Sequence, residues 1–414
     1  MERLRQKKMS AEERLIRYCK VDTQSDPNNE GETPSTKKQF DLAKILEKEL
    51  KDLGMENATL DEHCYVYAWL PANTEKKCRT VGFIAHMDTA PDFSGTNVKP
   101  RIIESFDGKD IVLNPEVTMK MSDFPQMREL KGKRLMVTDG STLLGADDKA
   151  GVVSIMEALT YLHAHPEVKH GRIAVAFTPD EEIGNGPKYF DVQKFGADFA
   201  YTMDGGEIDE FSEETFNAAS AEVEMHGFSI HPGDAKDRMI NAASLACEFQ
   251  EILPKHMTPE HTEGREGFIH LISIKGNTEE AELSYILRDH NAQLLEKKKE
   301  LLQSAASYLN DLHGKKVCTV TIKDAYRNMY EVLKKEPEVR KIAWQSLQDL
   351  GIDPKDAPIR GGTDGAVLSF RGLPCPNLGN GGGNFHGRYE YCVMEELEQA
   401  SQLILHIIQH TQEA

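Results

Sequence analysis

Three apolar runs in this chain end in clusters of acidic residues, and that pattern dictates most of the fold. VGFIA (81–85) is followed at once by HMD, RIAVAFT (172–178) by PDEE, and DFAYTM (198–203) by DGG. A run without polar alternation fits a strand buried on both faces, as in a helix-covered sheet. AGVVSIMEALTYLHAH (150–165) reads as a helix, and a further helical turn falls near 187–195. Strand, helix, strand, helix, strand is the pattern of an α/β layer. In such sheets ligands gather beyond the carboxyl ends of the strands, which is where the acidic clusters fall.

Helices are expected at 10–20 and 36–54, and a strand at YVYAWL (65–70). After about residue 212 the texture changes to alternating strands, AEVEMHGFSIH (221–231), REGFIHLISIKGN (265–277), AELSYILRD (281–289) and KVCTVTIKDAY (316–326). Helices at 242–254 and 291–313 accompany them. The second has Leu294, Leu295, Leu301, Leu302, Ala305, Leu309 and Leu312 on one side. The expected architecture is a helix-covered mixed α/β sheet from 1–212 and 327–414, with a smaller α+β domain inserted at 213–326. The stretch 91–140 is rich in Pro, Gly and Asp, and a loop that long is functional or carries its own hairpin.

Composition excludes several function classes. The 414 residues carry a formal net charge of −19. Broad nucleic-acid binding and a polybasic membrane anchor both need a basic face. No apolar run approaches the ~20 residues of a spanning helix. MERLRQKKMSAEERL has the basic start of a leader but no apolar stretch after it. Seven scattered cysteines without a CxxC pair read as reduced thiols, and so as a cytoplasmic protein.

Five segments carry the chemistry: AHMDTAPD (85–92), LLGADDKAG (143–151), TPDEEIG (178–184), YTMDGG (201–206) and NFHGRYEY (384–391). Histidines and carboxylates without cysteine suit Zn²⁺, Mn²⁺ or Co²⁺. A two-metal site needs a bridging carboxylate and further ligands for each metal. His86 and His386 can each take one metal, one Asp of the 147–148 pair can bridge, and Asp204 can complete the first metal. Of Glu181 and Glu182, one can be a ligand and the other a general base. Asp88 can accept the His86 ring N–H and fix its tautomer. A lone HxD, DD or EE is ordinarily solvated surface; here three acidic clusters each terminate a buried strand.

Those strings, with KVDTQSD (20–26), IHPGDAK (230–236), PIRGGTDGA (358–366) and GLPCPNLG (372–379), resemble the dizinc family of aminopeptidases, deacylases and glutamate carboxypeptidases. The likeness runs nearly end to end and is strongest to the aminotripeptidase branch. It implies one zinc on His86, Asp147 and Asp204, and a second on Asp147, Glu182 and His386. It implies Glu181 as general base, Asp88 as the residue that orients His86, and a cis peptide between Asp147 and Asp148. Co²⁺ or Mn²⁺ would substitute for zinc. His231, Arg288, Arg360, Gly362 and Thr363 match substrate-contacting positions, with the inserted domain acting as a lid and, in some relatives, as a homodimer interface. The implied activity removes the N-terminal residue of tripeptides. The alternative on the same fold is a deacylase or carboxypeptidase acting on N-acyl amino acids or dipeptides. GNGGGNFH (379–386) is more glycine-rich than the family's usual loop. It lacks the Lys-Ser/Thr of a phosphate cradle.

Overall fold

The computed structural model describes residues 9–55 and 57–412; most of the basic start read above for a leader lies outside them. Contacts divide the chain into two compact units. One comprises residues up to Glu213, Glu331–Ala357 and Thr363–Ala414; the other comprises Glu214–Tyr330 and Pro358–Gly362.

Among the described residues, the first unit is built on an eight-stranded mixed sheet. Its order is Thr59–Leu60, Val66–Leu70, Ile173–Thr178, Val81–His86, Phe199–Gly205, Asn377–Gly379, Glu210–Ser212, Lys355–Asp356. The four strands from Ile173–Thr178 to Asn377–Gly379 are parallel. Every residue of Val81–His86 and of Ile173–Thr178 is buried, as the unbroken apolar runs predict. Side chains alternate between faces. Phe83, Ala85, Val175, Phe177 and Tyr201 pack on the helical layer that contains Ala146–Ala164 and Met394–His410. Ile84, Ala174, Ala176 and Ala200 pack on Phe190, Phe195 and Leu368. Gly151 lets helix Ala146–Ala164 lie close to the sheet, because a Cβ there would run into the Met203 carbonyl and the Asp148 carboxylate.

The expected helix at 36–54 runs from Gln39 to Asp52. Residues 36–38 form turns before it, and the Ser35 N–H and hydroxyl are given to Asp180, each at 2.6 Å. The helix expected from 150 starts at Ala146 but is broken at Asp147 and Asp148, whose dihedrals are not helical. The 91–140 region carries a hairpin, Ile111–Val112 with Thr118–Met119. It also supplies two strands of a second small sheet, ordered Gly382–Gly383, Tyr391–Val393, Leu135–Val137, Arg101–Ile103. Phe106, Met119, Met127, Val137 and Tyr391 form its separate core.

The second unit has an antiparallel sheet ordered Phe268–Gly276, Glu280–Asp289, Asn217–His226, Cys318–Asp324, with helices Ala242–Ile252 and Ala292–His313. Asn241 and Asn291 cap those helices by accepting from Ser244 N and Leu294 N. Leu295, Leu302, Ala305 and Leu309 are buried as expected, but Leu294 and Leu312 are exposed. At ~100° per residue those two fall on one line roughly 65–80° from the centre of the stripe, on its rim.

Candidate metal centre

The site assembles at the carboxyl ends of the parallel strands of the first unit. His86 is the last residue of Val81–His86, and Asp204 lies near the end of Phe199–Gly205. Glu181 and Glu182 open the 3₁₀ turn after Ile173–Thr178. Asp147 comes from the broken start of Ala146–Ala164, and the Asp147–Asp148 peptide is cis. His386 stands in the loop closed by the pairing of Gly382 with Cys392 and Gly383 with Tyr391, at φ +63°.

Asp147 turns one oxygen to each histidine. Its Oδ1 lies 2.9 Å from His86 Nε2 and its Oδ2 3.4 Å from His386 Nε2. Asp204 Oδ1 lies 3.5 Å from His86 Nε2, and Glu182 Oε2 lies 3.0 Å from His386 Nε2. His86, Asp147 and Glu182 offer ligand atoms that all lie within 4.8 Å of one another. So do His86, Asp148 and Asp204. The Asp148 carboxylate, however, already accepts from His86 N (3.2 Å), Gly151 N (3.2 Å) and Asn380 Nδ2 (2.9 Å). It braces the strand end, and Asp147 faces both imidazoles.

Asp88 is fully buried, just beyond its strand. The His86 Nδ1 lies 3.1 Å from the Asp88 carbonyl and 3.4 Å from its Oδ1. Most of the Asp88 carboxylate serves the next strand end, accepting from Glu181 N (3.0 Å) and Glu182 N (3.2 Å). The main chain there is further pinned by Asp180, at φ +55°, which accepts from Ser35 and from Gln39 Nε2 at 2.6 Å.

The electrostatics are those of crowded ionisable groups. Burial, then the Asp147 charge, push Glu182 up to about 8. Burial and the Asp204 charge hold Glu181 well above the usual carboxylate range. Burial works against ionisation of Asp147 too, but hydrogen bonds from His386 and His86 overcome it and hold Asp147 below the usual range. Hydrogen bonds to Asp147 and Glu182 push His386 up to about 11. The Oε1 of Glu182 is buried with no hydrogen-bond partner. An orphaned carboxyl oxygen among imidazoles and carboxylates, without cysteine, fits a divalent cation bound by nitrogen and oxygen donors.

The other expected site residues are placed as follows. Thr363 caps helix Asp364–Phe370, accepting from Gly365 N at 3.0 Å and donating to Asn377 Oδ1 at 3.1 Å. His231, Arg288, Arg360 and Gly362 belong to the second unit. His231 is exposed, and its Nδ1 accepts from Gly233 N at 3.1 Å. The Arg288 Nη1 donates to the carbonyls of Ala219 (3.2 Å) and Leu287 (3.0 Å). Arg360 spends both terminal nitrogens on the carbonyls of Gly264, Glu266 and Thr262 and on the Thr262 hydroxyl. A Cβ on Gly362 would meet the Tyr326 ring. Sequence reasoning did not single out Asp180, Asn380 or Glu390, although all three stand inside the motifs given above. Their main partners, the Ser35 hydroxyl and N–H and the Gln39 amide for Asp180, the Asp148 carboxylate and Met203 carbonyl for Asn380, and three main-chain N–H groups for Glu390, lie far away in sequence, which no local spacing encodes.

Similarity to known proteins extends over the whole arrangement. A model of peptidase family M20/M25/M40 matches residues 138–410. The chain is 52% identical over 398 residues to Peptidase T of Geobacillus sp. strain WCH70, covering 96% of this chain and 97% of that protein. It is 51% identical over 401 residues to Peptidase T of Alkaliphilus oremlandii, covering 96% and 98%. Among solved structures it is similar to aminopeptidase PepT from Bacillus cereus, with TM-score 0.76, 22% identity and 97% and 99% of the two chains covered. A dinuclear metal-binding M20 peptidase from Bacillus subtilis superposes with TM-score 0.62 at 14% identity, over 97% and 99%. At those identities the solved structures speak for the fold alone, and it is the sequence matches that decide the assignment: this chain belongs to peptidase family M20/M25/M40.

Proposed function

We propose that the protein is a two-zinc aminopeptidase that releases the N-terminal residue of tripeptides. The observation that carries this reading is the Asp147 carboxylate facing His86 Nε2 with one oxygen and His386 Nε2 with the other. His86, Asp147 and Asp204 would hold one metal, and Asp147, Glu182 and His386 the second. Two bound metals supply an acidified water and a polarised scissile carbonyl. Glu181 takes the proton of the attacking water and returns it to the leaving amine. Asp88 holds the main chain of Glu181 and Glu182 while it orients His86. The resemblance supplies His231 as a stabiliser of the developing oxyanion and Arg288 as the partner of the substrate's C-terminal carboxylate. Arg288 commits only Nη1 to main-chain carbonyls, whereas Arg360 commits both terminal nitrogens. The named relatives, called Peptidase T, support peptides as the substrate class. The unpaired cysteines support a cytoplasmic protein, and the resemblance a homodimer through the inserted unit; light scattering in solution tests the dimer.

The deciding experiment measures metal content and identifies the products from di-, tri- and tetrapeptides and N-acyl amino acids by mass spectrometry. The expected result is two metals per chain and release of the first residue from tripeptides. Preferential cleavage of N-acyl amino acids or dipeptides would replace this reading with a deacylase or carboxypeptidase. Chelation should abolish turnover, and Zn²⁺, Co²⁺ or Mn²⁺ should restore it. The metal-free protein should also melt at a lower temperature. Asp88, Asp147, Glu181, Glu182 and Asp204 repel one another without cations, and a ligand at 1,000 times its Kd stabilises the fold by about 4 kcal/mol. Arg288→Ala should raise KM for free tripeptides by about tenfold, the worth of a charge-assisted hydrogen bond, and leave C-terminally amidated ones nearly unchanged. Equal effects on both would remove the carboxylate contact.

A further inference from the structure

Glu390 is a buried carboxylate, 1% exposed, that no step above uses. It forms no ion pair among the described residues. Its Oε2 accepts from the main-chain N–H groups of Leu144 and Gly145, both at 2.8 Å. Its Oε1 accepts from Asp147 N at 3.0 Å. Taking a carboxylate out of water without a counter-cation is expensive unless its lone pairs are met. Here three converging N–H donors meet them, an anion cradle made of main chain. Gly145 stands at φ +81°, a conformation that side-chain-bearing residues rarely adopt.

Glu390 lies four residues after His386. The strand that follows it, Tyr391–Val393, is locked to Leu135–Val137. One side chain therefore ties the loop of His386 to the turn that carries Asp147, the two segments that must meet for a shared carboxylate to reach both imidazoles.

We propose that Glu390 is a positioning residue: by accepting the Asp147 N–H it sets the main chain from which the Asp147 carboxylate is presented to two metals. This rests on the reading of Asp147 as the bridging ligand. Glu390 touches neither metal nor substrate in this role. It acts through Asp147, and outer partners of this kind change metal affinity by about 10–100-fold.

The isosteric change Glu390→Gln isolates the contact. An amide keeps one oxygen to accept from Leu144 N and Gly145 N but turns an NH₂ towards the Asp147 N–H, so donor faces donor. The experiment titrates the metal-free full-length protein with Zn²⁺ against a chromophoric chelator and records the visible spectrum of the Co²⁺ form. Both are done well below the melting temperature of either variant. The expected result is wild-type binding of two ions, affinity lower by about 10–100-fold in E390Q, and a changed Co²⁺ spectrum. Wild-type affinity and spectrum in folded E390Q would overturn the proposal, even if the variant melts earlier. Glu390→Asp keeps the charge but withdraws it by one methylene, and gives the same readout should E390Q not fold. Failure of both variants to fold would also overturn it, since Glu390 would then hold the fold and not the ligand. Absence of metal binding by the wild-type protein would instead overturn the metal reading itself.

Discussion

Glu181→Ala should purify with its full metal complement and turn over tripeptides about 10²–10⁴-fold more slowly, the usual worth of a positioned acid–base group. The two halves of that expectation have separate grounds. Retention of metal follows from the proposed ligand sets, His86, Asp147 and Asp204 for one metal and Asp147, Glu182 and His386 for the other, neither of which uses Glu181. Loss of turnover follows from its surroundings. Its N–H is held by Asp88, and its carboxyl, raised by burial and by Asp204, is the titratable group of the strand-end turn not committed to an imidazole. The loss should fall on kcat with little change in KM, because proton transfer and not substrate binding is removed. Metal analysis and steady-state kinetics on the same preparation check this. Turnover within a few-fold of wild type would move the general base elsewhere, and a drop in metal content would make Glu181 a ligand.

Asp147→Ala should lose both metals at once, and activity with them. Each remaining set keeps only two protein donors, His86 with Asp204 and Glu182 with His386, and two donors do not make a tight site for a tetrahedral cation. The expected loss of affinity exceeds the roughly 100-fold reached by changes outside the ligand shell. It should appear for both ions in elemental analysis after dialysis. Loss of one metal with retention of the other would show that Asp147 serves a single site. Asp148→Ala is the informative companion. The Asp148 carboxylate braces His86 N, Gly151 N and Asn380, so its removal should act on the folding of the strand end as much as on binding.

The two aspartates show where sequence reading stops. Spacing alone left open which of Asp147 and Asp148 bridges, because adjacent residues of one type carry no local mark of orientation. The structure separates them by the break at the helix start, which turns one side chain to the imidazoles and the other to main-chain N–H groups. Glu181 and Glu182 divide in a similar way: Asp88 holds both of their N–H groups, and only Glu182 turns an oxygen to His386 Nε2, at 3.0 Å. Asp88 was expected to serve His86 with its carboxylate; that carboxylate lies 3.4 Å from the ring Nδ1 and the Asp88 carbonyl 3.1 Å, and the same carboxylate also accepts from both glutamate N–H groups.

What the sequence determined by itself is the layer architecture and the identity of the chemical groups. Hydrophobic period and strand-end acidity are local properties. They place Val81–His86, Ile173–Thr178 and Phe199–Gly205 in a sheet covered on both faces, with His86, Glu181, Glu182 and Asp204 at their ends. Only the tertiary structure decided how segments hundreds of residues apart meet. Asp147 reaches His386, Asp180 is held by Ser35 and Gln39, and Glu390 caps the turn that carries Asp147. The physical reason is that these are polar contacts to main-chain, hydroxyl, amide and imidazole groups whose direction depends on dihedral angles far away in the chain. A buried carboxylate can be satisfied by any convergent set of N–H donors, and the sequence does not say which set the folded chain will bring to it.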